Sequence, residues 1–148
     1  MKKNKIKETP EKTVTVVGED LEGSEKLDVL MVKPGMHPQQ VQIDSGLTAL
    51  QQAVNGHIEV AYYFEEPVAV IVNEEGKLNG SELNRAIYDK DGNMIDIIAG
   101  DFLIVGIGDE NFCSLSSDLM QKFEEKFHNP ETFIRVGNRI ISLQVHKI

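Results

Sequence analysis

The sequence has little of the chemistry that marks disulfide-bonded, zinc-binding or membrane-spanning proteins. Cys113 is its only cysteine, so no disulfide forms within the chain and no cysteine cluster can hold a metal ion. The N-terminal lysines are not followed by the apolar stretch of a signal peptide, and no run reaches the ~20 apolar residues that a membrane-spanning helix requires. We therefore expect a cytoplasmic protein with no membrane partner.

Basic residues are scarce in the middle of the chain. Residues 59–118 hold thirteen acids against Lys77, Arg85 and Lys90, a net charge of −10 in a chain whose total is −9. A protein that binds nucleic acid directly neutralises phosphates with a basic patch, and this segment has the opposite sign. We predict no direct contact with nucleic acid.

No catalytic set, cofactor motif or metal-ligand set is recognisable. Gly106-Ile107-Gly108 lacks the third glycine of a dinucleotide-binding loop, and the acids Asp109 and Glu110 that follow would repel a phosphate. The four histidines have no ligand-like spacing, and the acids before Cys113 would raise the pKa of its thiol, the wrong direction for a nucleophile. We predict no catalytic residues, no metal and no cofactor.

Length and composition predict one ordered domain behind a charged tail. The chain has 148 residues, of which 41% are hydrophobic, enough for one ordinary core. Residues 1–24 are rich in lysine and glutamate, so we expect a flexible tail there, in which residues 13–17 could add an edge strand. Residues 25–148 are expected to form a single domain.

Apolar periodicity predicts short strands and two helices in that domain. We expect strands at residues 27–32, 41–43, 58–64, 67–72, 94–99, 102–107, 133–136 and 139–143. A first helix over residues 47–54, capped by Asp44 or Ser45, should end at Gly56, and a second should begin at Ser116 or Ser117. The predicted fold is α+β, with a mostly antiparallel sheet of short strands packed with the two helices.

Two Gly-containing turns lie between these strands. Asp91-Gly92 favours a hairpin turn over a calcium loop, because the glycine comes two positions early and no glutamate closes a twelve-residue loop. It is expected to join a strand ending at Tyr88 to a meander over residues 94–107. In Asn73-Glu74-Glu75-Gly76-Lys77, Gly76 is predicted to take the left-handed position.

Arg85 is the candidate binding residue, because its guanidinium can hold a carboxylate or a phosphate in a bidentate manner. An ion pair with one of the nearby acids is the structural alternative. If the two polar loops lie side by side, Asn73, Lys77, Asn84 and Arg85 form a cluster that could bind a small anion.

Six short motifs, taken in order, resemble the family called domain of unknown function 3846. They are Val32-Lys33-Pro34-Gly35, Leu47-x-x-Leu50-Gln51-x-x-Val54-x-Gly56-x-Ile58-Glu59, Asn73-Glu74-Glu75-Gly76-Lys77, Asn84-Arg85, Asp96-x-Ile98-x-Gly100-x-Phe102 and Ser114-Leu115-Ser116. The resemblance covers about residues 28–127. It implies an accessory protein of a phage, plasmid or integrative element in bacteria. It provides no catalytic residues to carry over to this chain, and it adds Glu74 to the ligand-binding candidates.

Three classes of function remain open. The leading hypothesis is a non-catalytic binding protein that sequesters a small anionic or nucleotide ligand, or that inhibits a host defence protein. The second is an acidic inhibitor that mimics nucleic acid on a partner protein. The third is an enzyme of an unrecognised type. Oligomeric state does not follow from the sequence.

Overall fold

The computed structural model describes residues 25–144, in which ten strands and two helices follow one another. In chain order they are β1 Lys26–Val32, β2 Gln39–Asp44, α1 Leu47–Val54, β3 Ile58–Ala61, β4 Val68–Asn73, β5 Leu83–Tyr88, β6 Met94–Ala99, β7 Phe102–Ile107, β8 Phe112–Cys113, α2 Ser117–Lys126, β9 Glu131–Val136 and β10 Arg139–Gln144. The predicted α+β fold is confirmed. The expected tail and its possible edge strand lie outside the described residues.

The main sheet has the strand order β2-β1-β7-β4-β3, and the short β8 pairs with the end of β7. β7 is antiparallel to both β1 and β4. Alternation of side chains gives the sheet two buried faces: Val68 and Val70 of β4 face one core, and Ala69 and Ile71 face the other. β4 is thus buried on both faces, as its continuous apolar run predicts.

One helix covers each face of the sheet. α1 places Leu50 and Val54 in the smaller core, while α2 places the fully buried Phe123 in the larger one. Ser116 caps α2 as predicted, because its Oγ accepts the Leu119 amide hydrogen at 3.2 Å.

The ends of α1 differ from the prediction. Gly46 is the N-terminal cap and makes no side-chain hydrogen bond, so capping by Asp44 or Ser45 is wrong. Asn55, at φ 66°, takes the left-handed position predicted for Gly56. Asparagine tolerates this conformation better than most residues, which explains the shift by one position.

The strands around the Asp91-Gly92 turn form a hairpin but no meander. Gly92 has φ 85°, and the Asp89 amide donates to the Asn93 carbonyl at 2.9 Å, so the turn is confirmed. β5 and β6 form a sheet of their own, because β1 and β4 already occupy both edges of β7. The predicted strand over residues 58–64 also stops early, at Ala61.

β9 and β10 form the predicted C-terminal hairpin, with Gly137 at φ 64°, and this two-stranded sheet is called the C-terminal ribbon below. It touches the body beside β5, where Glu131 Oε1 accepts the Ala86 amide hydrogen at 3.1 Å. Neither helix in residues 25–144 is long and apolar enough to cross a membrane.

Candidate functional site

Arg85 lies inside the protein with no exposed surface. Its Nε and Nη2 donate to the Phe127 carbonyl at 3.0 and 2.9 Å, and Nη2 also donates to the Met36 carbonyl at 2.7 Å. Nη1 donates to Asn84 Oδ1 at 2.8 Å. The guanidinium therefore fastens the end of α2 and the β1–β2 loop to β5.

The acceptors that bind Arg85 are uncharged, so the structural alternative, an ion pair with an acid of residues 59–118, does not form. Burial lowers the pKa of Arg85, while Glu131 on the ribbon raises it. Asn84 is equally buried, and its Nδ2 donates to the Val32 carbonyl at 3.0 Å and the Gly100 carbonyl at 2.8 Å. Asn84 and Arg85 together donate to the carbonyls of Val32, Met36, Gly100 and Phe127, and so fasten these parts of the main chain to β5.

Asn73 closes the end of α1. Its Nδ2 donates to the carbonyls of Val54 at 3.0 Å and Asn55 at 3.2 Å, and its Oδ1 accepts the Glu75 amide hydrogen at 2.7 Å. The next residue, Glu74, is held through its backbone amide, which donates to the His57 carbonyl at 2.9 Å. Two of the five candidate residues thus shape this turn.

Asn84 and Arg85 lie in β5 and not in a polar loop, while the 73–77 turn comes close to the end of β6 through main chain. Gly76 does not take the predicted left-handed conformation. A larger residue is disfavoured there because its Cβ would lie 2.8 Å from the Ala99 carbonyl oxygen. Ala99 is followed by Gly100, which accepts from Asn84. Asn84 and Arg85 face inward with no exposed surface, while the Lys77 side chain is 58% exposed. Ligand binding by the five candidates stays a prediction.

Lys77 belongs to a polar group that the sequence did not reveal. Its Nζ donates to Asp96 Oδ1 at 2.6 Å, and the Tyr63 hydroxyl donates to Asp96 Oδ2. Burial raises the pKa of Asp96, but hydrogen bonds from Lys77, Tyr63 and the Ile97 amide outweigh it and lower the value overall. Burial, then Asp96, raises the pKa of Tyr63. The sequence signal that could have revealed this polar group is Asp96, an acid inside the otherwise apolar run of β6.

A shallow depression of about 360 Å³ lies beside this group, between β6 and the ribbon. Lys77 and Asp96 form its polar end, and its walls include Leu83, Met94 and Ile140. It joins Lys77, a predicted binding residue, to exposed apolar surface.

Cysteine and histidine offer little chemistry in the described part of the chain. The pKa of the Cys113 thiol is raised, which is the predicted direction, but the causes are burial and then Glu25 rather than the acids Asp109 and Glu110. His37 and His128, although far apart in sequence, stack with ring centroids 4.3 Å apart, and His37 Nδ1 lies 2.7 Å from the His128 carbonyl oxygen. Residues 25–144 contain no group of three or more His, Cys, Asp or Glu side chains placed to hold a metal ion.

The ribbon presents an unusual surface. Ile134 pairs with Ile141, and the two point to the same side as Thr132, Val136, Arg139 and Leu143; the four large apolar residues of this side are called the outer face. Their side chains are 40–55% exposed. On the opposite side Phe133 and Ile140 are half-buried against the body.

The sequence model of the family described as domain of unknown function (DUF3846) matches residues 26–128. The chain belongs to this family. The match covers the main sheet, both helices and the β5–β6 hairpin of this DUF3846 protein, and it ends before the ribbon. The search of curated proteins found no match, and the search of solved structures found none either.

Proposed function

We propose that this DUF3846 protein is a non-catalytic accessory binding protein of a phage or another bacterial mobile element, and that it binds a basic protein in the cytoplasm through the outer face of the ribbon. The observation that carries the proposal is the exposure of four large apolar side chains on one side of the ribbon. Occupying a surface of a host protein, such as a defence protein, is an action that needs no catalytic residue.

The outer face is the kind of surface that a partner covers. An isolated two-stranded sheet is only marginally stable in water, and packing of its apolar side chains against another element stabilises it. Here the inner side is already packed against the body, so the outer face is the side left for a partner. Contiguous apolar side chains on a protein surface mark interaction sites more often than isolated ones do.

Charge supports a basic partner. Residues 59–118 have a net charge of −10, and the whole chain −9. The ribbon itself holds Arg135 and Arg139 against Glu131, so the attraction comes from the negative body, which orients a positively charged protein while the apolar face supplies the affinity. The same charge opposes pairing between two copies of this chain, because their bodies repel each other.

A photo-crosslinking residue in place of Thr132, which borders the outer face, would capture the partner in host cells. The partner would then be purified and titrated against the wild-type protein and against Ile134→Thr/Ile141→Thr. We expect the partner to have a positive net charge and binding to the double variant to be weaker by tenfold or more, since truncated residues at the centre of an interface typically cost about 2 kcal/mol.

The matched control is Leu78→Thr, which removes an apolar side chain that is 87% exposed and belongs to the β4–β5 loop, not to the outer face. It should bind like the wild type. Salt should weaken binding of both proteins by screening the acidic body. Unchanged binding of the double variant would overturn the proposal, and so would a homodimer in sedimentation that the double variant abolishes.

A further inference from the structure

The depression beside Lys77 combines an ion pair with an apolar wall. Lys77 Nζ and Asp96 Oδ1 are 2.6 Å apart, and their side chains keep 58% and 30% of their surface exposed. A ligand can therefore reach both charges from solvent. The volume of about 360 Å³ lies at the lower end of the range for small-molecule sites.

Both charged groups have hydrogen-bonding capacity left. A carboxylate offers about four lone-pair positions, and Asp96 uses three of them, for Lys77, the Ile97 amide and the Tyr63 hydroxyl. An ammonium group has three N–H donors, and Lys77 directs one of them to Asp96. Among residues 25–144, this leaves one acceptor position on Oδ2 and two donors on Nζ for a ligand.

A ligand with a single charge fits this end poorly. An anion attracted to Lys77 meets the carboxylate of Asp96, and a cation attracted to Asp96 meets the ammonium of Lys77. A zwitterion whose opposite charges lie a few ångströms apart satisfies both groups at once. The apolar walls formed by Leu83, Met94, Ile97 and Ile140 suit an aliphatic side chain next to that zwitterion.

We propose that the depression binds a free α-amino acid with an aliphatic side chain, its carboxylate on Lys77 and its ammonium on Asp96. Lys77 and Asp96 orient the head group, and the side chain lies on β6 and on Ile140 of the ribbon. This site is separate from the outer face and does not depend on the partner proposed above.

The test titrates L-leucine and two analogues that each lack one charge, 4-methylpentanoate and 3-methylbutylamine, into the ¹⁵N-labelled full chain. We expect shifts of the Ile97 and Ile140 amides that saturate with L-leucine at millimolar or lower concentration, and affinity about tenfold or more weaker for each analogue, since each loses a charge-assisted hydrogen bond. Equal affinity for L-leucine and either analogue would overturn the zwitterion assignment.

Lys77→Met keeps the apolar stem of the exposed side chain and should reduce leucine affinity about tenfold or more. The matched control is Lys90→Met, in the exposed β5–β6 turn, which should bind leucine like the wild type. If leucine produces no saturable shift at up to about 50 mM, or if Lys77→Met binds as the wild type does, the proposal is wrong.

Discussion

β5 and the C-terminal ribbon invert the usual placement of polar and apolar residues. β5 buries Arg85 and Asn84 completely, whereas the ribbon exposes Ile134, Ile141 and their two neighbours on the outer face. In the first region a charge lies where apolar groups are expected, and in the second the apolar groups lie where charges are expected. The comparison separates a polar residue that builds the fold from apolar residues that are free to bind.

Hydrogen bonding accounts for the buried side. Arg85 donates to main-chain carbonyls of Phe127 and Met36 and to the side chain of Asn84, so each nitrogen of the guanidinium is satisfied. Buried polar groups are tolerated when their partners are complete. The apolar side chains of the outer face are instead 40–55% exposed, so they are accessible at the surface.

The largest expected effect comes from Arg85→Ala. It leaves the Phe127 and Met36 carbonyls and Asn84 Oδ1 without their donor inside the protein, so the free energy of unfolding should fall by about 5 kcal/mol. The control is Arg135→Ala on the exposed ribbon, which should stay within about 0.5 kcal/mol of the wild type. Urea denaturation measures both.

Arg85→Lys sharpens this comparison. Lysine keeps the charge but cannot reproduce the planar fork that reaches Phe127 and Met36 together, so most of the loss should remain. If Arg85→Ala instead kept wild-type stability, the guanidinium would not fasten these segments, and the sequence-based anion site at Arg85 would regain support.

Phe123→Ala should be next in size. The Phe123 side chain is fully buried, and its ring centroid lies 4.9 Å from that of Phe64. Its removal should leave a cavity and lower the free energy of unfolding by about 3 to 5 kcal/mol. The neighbouring Lys122 makes an ion pair with Glu66 at the surface, and Lys122→Ala should cost less than about 1 kcal/mol. Equal urea midpoints for the two variants would contradict the assignment of Phe123 to the buried side of α2 and of Lys122 to its exposed side.

These cases show what could be read from the sequence. The period of Leu119, Met120, Phe123 and Phe127 placed α2 correctly, because burial of one helix face is a local pattern. The partners of Arg85 could not be found, since main-chain carbonyls at residues 36 and 127 carry no sequence signal. The contact between Asp96 and Tyr63 was also missed, since β6 lies outside the main sheet and Tyr63 follows the end of β3, whereas the sequence predicted a meander and a strand over residues 58–64.

A smaller effect, dependent on pH, is expected for Tyr63→Phe. It removes the hydroxyl that donates to Asp96 and should cost about 1 kcal/mol at neutral pH. Because the folded protein raises the pKa of Tyr63, its contribution is complete below the unfolded pKa of about 10 and is lost as pH rises above it. Wild-type stability should therefore fall more steeply than that of the variant between about pH 9 and 11.

Urea midpoints at three pH values would measure this difference, with Tyr88→Phe, which alters a 45% exposed side chain, as the control. Parallel curves for the wild type and Tyr63→Phe would show that the hydroxyl contributes nothing in this range. The result bears on the depression, because Tyr63 holds Asp96 in place for the proposed ligand.

The smallest effect on stability should come from the ribbon itself, in Ile134→Thr/Ile141→Thr. Threonine keeps the β-branched shape that strands favour, and both side chains are already 40% or more exposed, so each change should cost about 0.5 kcal/mol or less.

Near-native stability combined with lost partner binding would complete the contrast with Arg85→Ala, which should lower binding only through the fraction of folded protein. A loss above about 2 kcal/mol in the free chain would mean that the outer face packs within the protein, since surface substitutions do not reach that size. The ribbon would then be a structural element like β5, and the proposed docking surface would have to be given up.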